Sequence, residues 1–198
     1  MVDGIIFDLD GTLWDSTPEI LNCWKQLLPD LTLPELKSCM GETTVDIANI
    51  LGMQKKNVLK LQDEEVHWLS EHPVPPYIGV TTLVQFLNTE NIPCFIVSNC
   101  QARYIECFLY KSGLEQYFKD WISFGDNGQD KSQNIKLIME RNNLQSPIYV
   151  GDTDLDMIAA RDNNIKFAFA AYGFNKDVKE CDAILTDPLD LVAYLRKI

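Results

Sequence analysis

Short, almost continuously apolar segments recur along this chain and constrain its fold more than any other feature of the sequence. They lie at residues 5–7, 94–97, 121–124, 148–150 and 167–169. Each has the length of a strand, and apolar residues do not alternate with polar ones within it. Such runs are typical of parallel strands that are covered on both faces. The sequence therefore predicts a buried parallel sheet.

Amphipathic stretches between these segments predict the helices that cover the sheet. Leu83, Phe86 and Leu87 have the i, i+3, i+4 spacing of one helix face, and residues 105–109 and 135–139 repeat it. Gly113 is predicted to end one of these helices, and Ser132 to cap the start of another. The alternation from about residue 79 onward predicts a doubly wound, Rossmann-like α/β fold.

Residues 15–78 interrupt this alternation, because they contain no strand pattern. A helix is predicted to start at Thr17, which we interpret as its cap, and two more at residues 45–51 and 58–69. Prolines cluster at residues 73–76, before Gly79. We therefore predict a small helical cap domain at residues 15–78, inserted into a catalytic core of residues 1–14 and 79–198.

Polar side chains stand just past the ends of several predicted strands. They are Asp8 and Asp10, Ser98 and Asn99, Lys131 in a predicted loop, and Asp152. Ligands bind outside the carboxyl ends of the strands in such sheets, so we expect these side chains to converge. Clustered carboxylates need a counter-charge, which Mg²⁺ can supply while it also binds a substrate phosphate. One carboxylate can then attack phosphorus while another transfers the proton.

These residues resemble, in chain order, the motifs of the haloacid dehalogenase superfamily. Residues 8–13 read D-L-D-G-T-L and match its first motif, D-x-D-G-T-L. Ser98 and Asn99 match the second motif and Lys131 the third, while residues 151–156, G-D-T-D-L-D, match the fourth, G-D-x-x-x-D. A helical cap between the first two motifs is similar to subclass I, which contains the phosphoglycolate phosphatases.

The resemblance implies the roles of the acidic residues. Asp8 is expected to be the nucleophile and a Mg²⁺ ligand. Asp10 is expected to act as general acid and base and to offer its backbone carbonyl to the metal. Asp152 is the third expected protein ligand, and Asp156 would orient a metal-bound water or Lys131.

The resemblance also implies a phosphate site. Ser98, Asn99 and Lys131 would hold the phosphoryl group that is transferred. Lys131 is followed by Ser132 where many relatives have proline. The expected activity is hydrolysis of a small phosphorylated metabolite, similar to phosphoglycolate, through an aspartyl-phosphate on Asp8.

Two other functions share parts of this pattern. β-Phosphoglucomutases have similar core motifs, but they carry a histidine shortly after the first motif, in D-T-A-x-x-H. The matching residues 15–20 here read D-S-T-P-E-I and contain no histidine. A phospho-receiver module, which is not an enzyme, also gathers acids at strand ends, but its phosphorylated Asp follows the third strand. The phosphatase interpretation is therefore favoured.

Two local sequence patterns suggest other sites but do not fit them. Residues 152–156 resemble the start of a calcium-binding EF-hand loop, yet Met157 and Asn163 stand where that loop needs glycine and glutamate. Residues 125–128 are predicted to be a loop, and they lack the lysine spacing of a P-loop.

Charge and cysteine usage indicate the class of partner and the compartment. The formal net charge of −12 repels nucleic-acid backbones and anionic membrane surfaces, so neither is an expected partner. No apolar run is long enough to span a bilayer. The cysteines, at positions 23, 39, 94, 100, 107 and 181, form no C-x-x-C pair and predict free thiols in the cytoplasm. No feature of the sequence indicates the oligomeric state.

Overall fold

The computed structural model describes residues 2–175, 178 and 180–198. Its strands are β1 (Ile5–Phe7), β2 (Cys94–Ser98), β3 (Phe118–Ser123), β4 (Ile148–Gly151), β5 (Lys166–Ala170) and β6 (Ala183–Leu185). They form one six-stranded sheet in the order β3-β2-β1-β4-β5-β6. All neighbouring strands are parallel. This confirms the predicted doubly wound α/β fold, whose strand order reverses between β1 and β4.

The helices flank the sheet and fill the long connection that follows β1. They are α1 (Thr17–Trp24), α2 (Leu33–Lys37), α3 (Thr44–Ile50), α4 (Lys55–Glu71), α5 (Val80–Thr89), α6 (Tyr104–Ser112), α7 (Phe124–Asn127), α8 (Lys131–Asn142), α9 (Asp154–Asp162) and α10 (Asp190–Leu195). A 3₁₀ turn, Glu115–Tyr117, precedes β3. Among the described residues, no helix has the length and apolar composition needed to cross a membrane.

Burial on both faces explains why the central strands are almost continuously apolar. Ile5 and Phe7 belong to a hydrophobic cluster that includes residues of α5 and α6. Ile6, which points to the other face, belongs to a second cluster with residues of α8 and α9. The helices therefore cover both sides of β1 and hold its carboxyl end in a fixed position.

Two strands differ from the sequence prediction because they lie at the edges of the sheet. The third strand was predicted at residues 121–124, but β3 begins at Phe118 and ends at Ser123. Between the buried Phe118 and Ile122 its residues are exposed or partly exposed, because an edge strand is less covered than a central one. The opposite edge strand, β6, was not predicted; it is short and its Ile184 is exposed.

The structure also corrects the predicted starts of two helices. Ser16, not Thr17, is the residue before α1, and its hydroxyl is engaged elsewhere. Asp130, not Ser132, caps α8 by accepting a hydrogen bond from the backbone N–H of Gln133, at 2.8 Å. Lys131 is therefore the first residue of a helix and does not lie in a loop.

The segment at residues 125–128, predicted to be a loop, is mostly helical. Three of its residues belong to the short helix α7. A capping box between Ser123 and Asp126 starts this helix, since each side chain binds the other residue's backbone N–H. The short helix α2, which was also not predicted, starts with a capping box as well, formed by Thr32 and Glu35.

Residues 15–78 form the helices α1 to α4 and contribute no strand to the sheet. The two ends of this segment lie side by side. Trp14 forms a bridge with Pro76, and the backbone N–H of Tyr77 donates to the carbonyl of Leu13 at 2.9 Å. The chain therefore leaves the sheet and returns to it at almost the same point, beside the carboxyl end of β1.

Candidate active site

Three carboxylates meet where the strand order reverses. Asp8 follows β1, while Asp152 and Asp156 lie after β4, in the loop and in the first turn of α9. One oxygen of each lies within 4.8 Å of the other two, and all three residues are buried. This is the crevice where ligands bind in open parallel sheets. The predicted convergence of Asp8 and Asp152 is therefore present in the structure.

Lys131 supplies the positive charge of this cluster. Its Nζ lies 2.6 Å from Asp156 Oδ1 and 3.1 Å from Asp8 Oδ1. Burial of the ammonium works against its charge, but the carboxylates of Asp156 and Asp8 outweigh that effect and raise the pKa of Lys131. The side chain is therefore a permanent cation at the base of the crevice.

Asp156 has its hydrogen-bonding capacity filled by its neighbours. Its Oδ1 accepts from Lys131 and, at 3.3 Å, from the hydroxyl of Tyr149. Its Oδ2 accepts from the backbone N–H groups of Asp152 and Thr153, at 3.1 and 2.9 Å, and from the Thr153 hydroxyl at 2.7 Å. Gly151 is required here, because a Cβ at that position would collide with the Asp156 side chain. Asp156 thus positions Lys131 and the Asp152 loop.

Asp152 keeps one oxygen without a partner, whereas the corresponding oxygen of Asp8 contacts only Lys131. Asp152 Oδ1 is buried and accepts no hydrogen bond from the part of the chain that the structure describes, and the buried Asp8 Oδ1 lies 3.1 Å from Lys131 Nζ. Burial raises the pKa of Asp8 to about 7, although Lys131 opposes the shift. Burial, together with the charges of Asp156 and Asp8, raises the pKa of Asp152 to about 8. Such oxygens need positive charge, so the donor set fits a hard divalent cation.

Asp10 turns away from this cluster into a ring of donors. Its Oδ1 accepts from the Trp14 indole at 2.9 Å, the Ser16 hydroxyl at 2.6 Å and the Tyr104 hydroxyl at 2.9 Å. Burial raises the pKa of Asp10 to about 6, while the three hydrogen bonds limit the shift. A carboxyl group with a pKa near neutrality can both donate and accept a proton under ordinary conditions.

Ser98, the last residue of β2, and Asn99, which follows it, have different surroundings. Ser98 is buried and lines a cavity next to Asp10. Asn99 faces the helical segment, where its Nδ2 donates to the backbone carbonyl of Gly41 at 2.9 Å. Its buried Oδ1 accepts no hydrogen bond from the described residues. Asn99 thus connects the core to the loop between α2 and α3 instead of pointing freely at the acidic cluster.

A small cavity lies between the helical segment and the core. Its volume is about 30 Å³, which is room for about two water molecules. Its polar lining consists chiefly of Asp10, Glu42, Gln62, Glu65, Ser98 and Gln101. Asp8 lies outside the lining, because it is buried under its contact with Lys131. The helical segment therefore covers the crevice in this structure.

The family model described as haloacid dehalogenase-like hydrolase matches residues 5–170, which include every residue of the candidate active site described above. The chain belongs to this family. The match confirms the resemblance that the motifs indicate, and it makes the protein an enzyme of a hydrolase family.

Individual relatives agree with the family assignment. A phosphoglycolate phosphatase from Aquifex aeolicus is 29% identical, over 95% of this chain and 94% of its own. Among solved structures, a predicted phosphatase from Clostridium acetobutylicum superposes with a TM-score of 0.85 at 20% identity, over 100% of both chains. A proposed β-phosphoglucomutase from Thermotoga maritima has a TM-score of 0.74 at 20% identity, again over 100% of both chains. At this identity the two structures establish the fold alone.

Several residues of this hydrolase site could not be found from the sequence motifs. The donors to Asp10 include Trp14, for which the sequence favours packing, and Tyr104, which lies far away along the chain. Glu65 and Gln62 come from α4, in the helical segment, where no known motif marks them. Only Ser16 could have been suggested from its position in the sequence, because it closely follows Asp10 and precedes a predicted helix.

Proposed function

We propose that this member of the haloacid dehalogenase family is a Mg²⁺-dependent phosphatase that hydrolyses a small phosphomonoester of about the size of phosphoglycolate. The observation that carries the proposal is the arrangement of Asp8 between a buried cation, Lys131, and a second carboxylate, Asp152, at the strand-order reversal. Asp152 also has a buried oxygen that accepts no hydrogen bond from the described residues. The relatives named phosphoglycolate phosphatases support the substrate class.

Asp8 acts as the nucleophile in this proposal. One of its oxygens forms a bond to phosphorus as the bond from phosphorus to the leaving alcohol breaks, which gives an aspartyl-phosphate. Lys131, whose charge is secured by Asp156, stabilises the negative charge on the transferring group. Ser98 and Asn99 donate hydrogen bonds to the remaining phosphoryl oxygens; the Asn99 amide has two N–H donors, of which the Gly41 carbonyl uses one.

Asp10 transfers the protons. It donates a proton to the leaving oxygen in the first step, and it accepts one from the water that attacks the aspartyl-phosphate in the second. As water bonds to phosphorus, the bond from phosphorus to the Asp8 oxygen breaks, which releases inorganic phosphate and restores the Asp8 carboxylate. The hydrogen bonds from Trp14, Ser16 and Tyr104 hold the Asp10 carboxyl in place for both transfers.

Asp8, Asp152 and the backbone carbonyl of Asp10 are the proposed ligands of Mg²⁺. When bound, the ion neutralises the clustered carboxylates and polarises a phosphate oxygen. Asp156 is not proposed as a ligand, because both of its oxygens already accept hydrogen bonds.

Asp152→Asn should raise the Mg²⁺ concentration that gives half-maximal activity by about tenfold, since it removes one ionic ligand. Melting in metal-free buffer should occur at the same or a higher temperature, because repulsion with Asp8 and Asp156 is relieved. Phosphate release during a Mg²⁺ titration measures the first effect. An unchanged Mg²⁺ dependence would place the metal elsewhere.

Tyr104→Phe should raise the pKa of Asp10, since a hydrogen bond to the charged form lowers it and this variant removes one. The limb of the kcat/KM pH profile that Asp10 controls should move to higher pH by about 0.5 to 1 unit, the equivalent of one hydrogen bond. Tyr110→Phe, in the same helix but 75% exposed, is the matched control. A shift to lower pH, or equal shifts in both variants, would contradict the role given to Tyr104.

We further propose that residues 15–78 form a lid domain over a core made of residues 1–14 and 79–198. The adjacent ends of the segment, at Trp14 and Pro76, suit a hinge, and the small covered cavity suits a closed state. Closure of a lid excludes bulk water and large substrates. Location in the cytoplasm stays a prediction; the six cysteines are all free, which agrees with a reducing compartment.

One assay tests the proposed function against a mutase. Purified protein is incubated with a panel of phosphomonoesters, including phosphoglycolate and β-glucose 1-phosphate, with and without Mg²⁺. We expect Mg²⁺-dependent release of inorganic phosphate without a bisphosphate activator, because the histidine that mutases carry after the first motif is missing. Conversion of β-glucose 1-phosphate to glucose 6-phosphate faster than phosphate release would favour the mutase.

A further inference from the structure

The wall of the cavity that faces away from the core is dominated by one buried carboxyl group. Glu65, in α4, is 4% exposed and lines the cavity that Asp10 and Ser98 also line. Its Oε2 accepts from the Trp24 indole at 2.8 Å, and its Oε1 accepts from Gln101 Nε2 at 2.9 Å. Both donors are neutral, so they fix the orientation of the carboxyl group and bring no positive charge next to it.

The charges around this cavity are all of one sign. Asp10, Glu42 and Glu65 are acidic, and among the described residues the lining contains no lysine, arginine or histidine. The cation of the site, Lys131, is engaged by Asp8 and Asp156. A substrate carboxylate in this cavity would therefore find no side chain with a compensating positive charge.

The donor group of Gln101, which also lines the cavity, is already used by acceptors of the protein. The amide nitrogen of Gln101 is used by Glu65 and by the backbone carbonyl of Gln62, at 2.9 and 3.3 Å. Burial raises the pKa of Glu65 to about 8, and the nearby Asp10 contributes to the shift, while the hydrogen bonds from Gln101 and Trp24 oppose it. This end of the cavity carries an acidic group, and its described lining residues offer no positive charge.

We propose that Glu65 is a specificity-determining residue, which selects phosphomonoesters whose alcohol carries a hydroxyl or ammonium donor remote from the phosphate and rejects those with a carboxylate there. The inference rests on the proposed phosphatase function and adds the chemistry of the leaving group to it. It distinguishes this chain from the relatives named phosphoglycolate phosphatases, because the end of phosphoglycolate that is remote from the phosphate is a carboxylate.

Four esters of matched size test the proposal: 2-hydroxyethyl phosphate, phosphoethanolamine, ethyl phosphate and phosphoglycolate. For the wild type we expect kcat/KM with the hydroxyl and ammonium esters to exceed that with phosphoglycolate by about tenfold or more, with ethyl phosphate between them. The comparison of the first two esters distinguishes a hydroxyl from an ammonium ligand. If only p-nitrophenyl phosphate is turned over, competitive inhibition constants of the four esters give the same ranking.

Glu65→Gln keeps the size and one oxygen acceptor but removes the ionisable carboxyl group. We expect it to reduce the preference for phosphoethanolamine over phosphoglycolate by about tenfold, through opposite changes in the two KM values. Glu64→Gln, at the exposed neighbouring position, is the matched control and should change neither value.

The outcomes separate this inference from the function on which it rests. A wild type that prefers phosphoglycolate would overturn the role of Glu65 and leave the phosphatase proposal intact, and this result needs no variant to fold. An equal loss of activity on all four esters in Glu65→Gln would show a structural role only. Absence of phosphate release from every ester, p-nitrophenyl phosphate included, would contradict the proposed function itself.

Discussion

Asp8→Asn is expected to reduce turnover by a factor on the order of 10⁴ or more, because an amide is a poor nucleophile and a poor ligand for Mg²⁺. The fold should persist, since asparagine has the same shape and the variant relieves repulsion with Asp152 and Asp156. Lys131 keeps its closest partner, Asp156, at 2.6 Å. Release of inorganic phosphate measures turnover, and circular dichroism with thermal melting verifies folding.

A covalent mechanism also predicts that this variant cannot be labelled by the phosphoryl group of the substrate. Wild-type protein quenched in acid during turnover of a ³²P-labelled ester should retain label on the protein, whereas Asp8→Asn should retain none. Asp154→Asn, at an exposed position in the same crevice region, should behave as the wild type. Residual turnover in Asp8→Asn above about one per cent of the wild-type rate would argue against an aspartyl-phosphate.

Asp156→Ala is expected to destabilise the protein by about 3–5 kcal/mol, the cost of removing one partner of a buried ion pair. Lys131, the Tyr149 hydroxyl and the backbone N–H groups of Asp152 and Thr153 all lose an acceptor. Relief of repulsion among the carboxylates offsets only part of this loss. For a chain of this size, the melting temperature should fall by about 10 °C.

The matched control for this variant is Asp154→Ala, in the same turn of α9. Asp154 is exposed, so its loss removes only a favourable charge at a helix N-terminus, with an expected cost below about 1 kcal/mol. Chemical denaturation of both variants at pH 7 gives the comparison. Equal, small losses in the two variants would mean that Lys131 finds another acceptor when Asp156 is absent.

The sequence predicts the centre of this molecule better than its edges. β1, β2 and β4 are covered on both faces, so their residues are apolar almost without interruption and the strand pattern is strong. At the edges the pattern weakens, since the middle of β3 is only partly buried and β6 is short and half covered. Short helices such as α7 have too few residues for a periodic pattern, and only their capping boxes reveal them.

The active site likewise has a part that the sequence predicts and a part that it does not. Asp8, Asp152 and Lys131 stand at strand ends or helix starts within motifs, so their convergence follows from the topology of the sheet. The surroundings of Asp10 depend on Tyr104, which reaches it only when α6 packs beside the end of β1. Those of Glu65 depend on Gln101, and this pair forms only when the helical segment packs on the core. No local pattern encodes such long-range contacts, so the sequence indicated the chemistry of the site but not its substrate.

The position of β1 in the sheet has a consequence for the order in which the enzyme is made. β1 precedes all other strands in the chain, yet it pairs with β2 on one side and with β4 on the other, where Ile5 is opposite Ile148. On the ribosome the N-terminal strand emerges long before β4 has been translated. During that interval β1 has an unpaired edge, and an unpaired edge in a nascent chain promotes aggregation and recruits chaperones. Catalytic competence is therefore acquired late in translation, and a product truncated before β4 lacks both the second neighbour of β1 and Asp152, a proposed ligand of Mg²⁺.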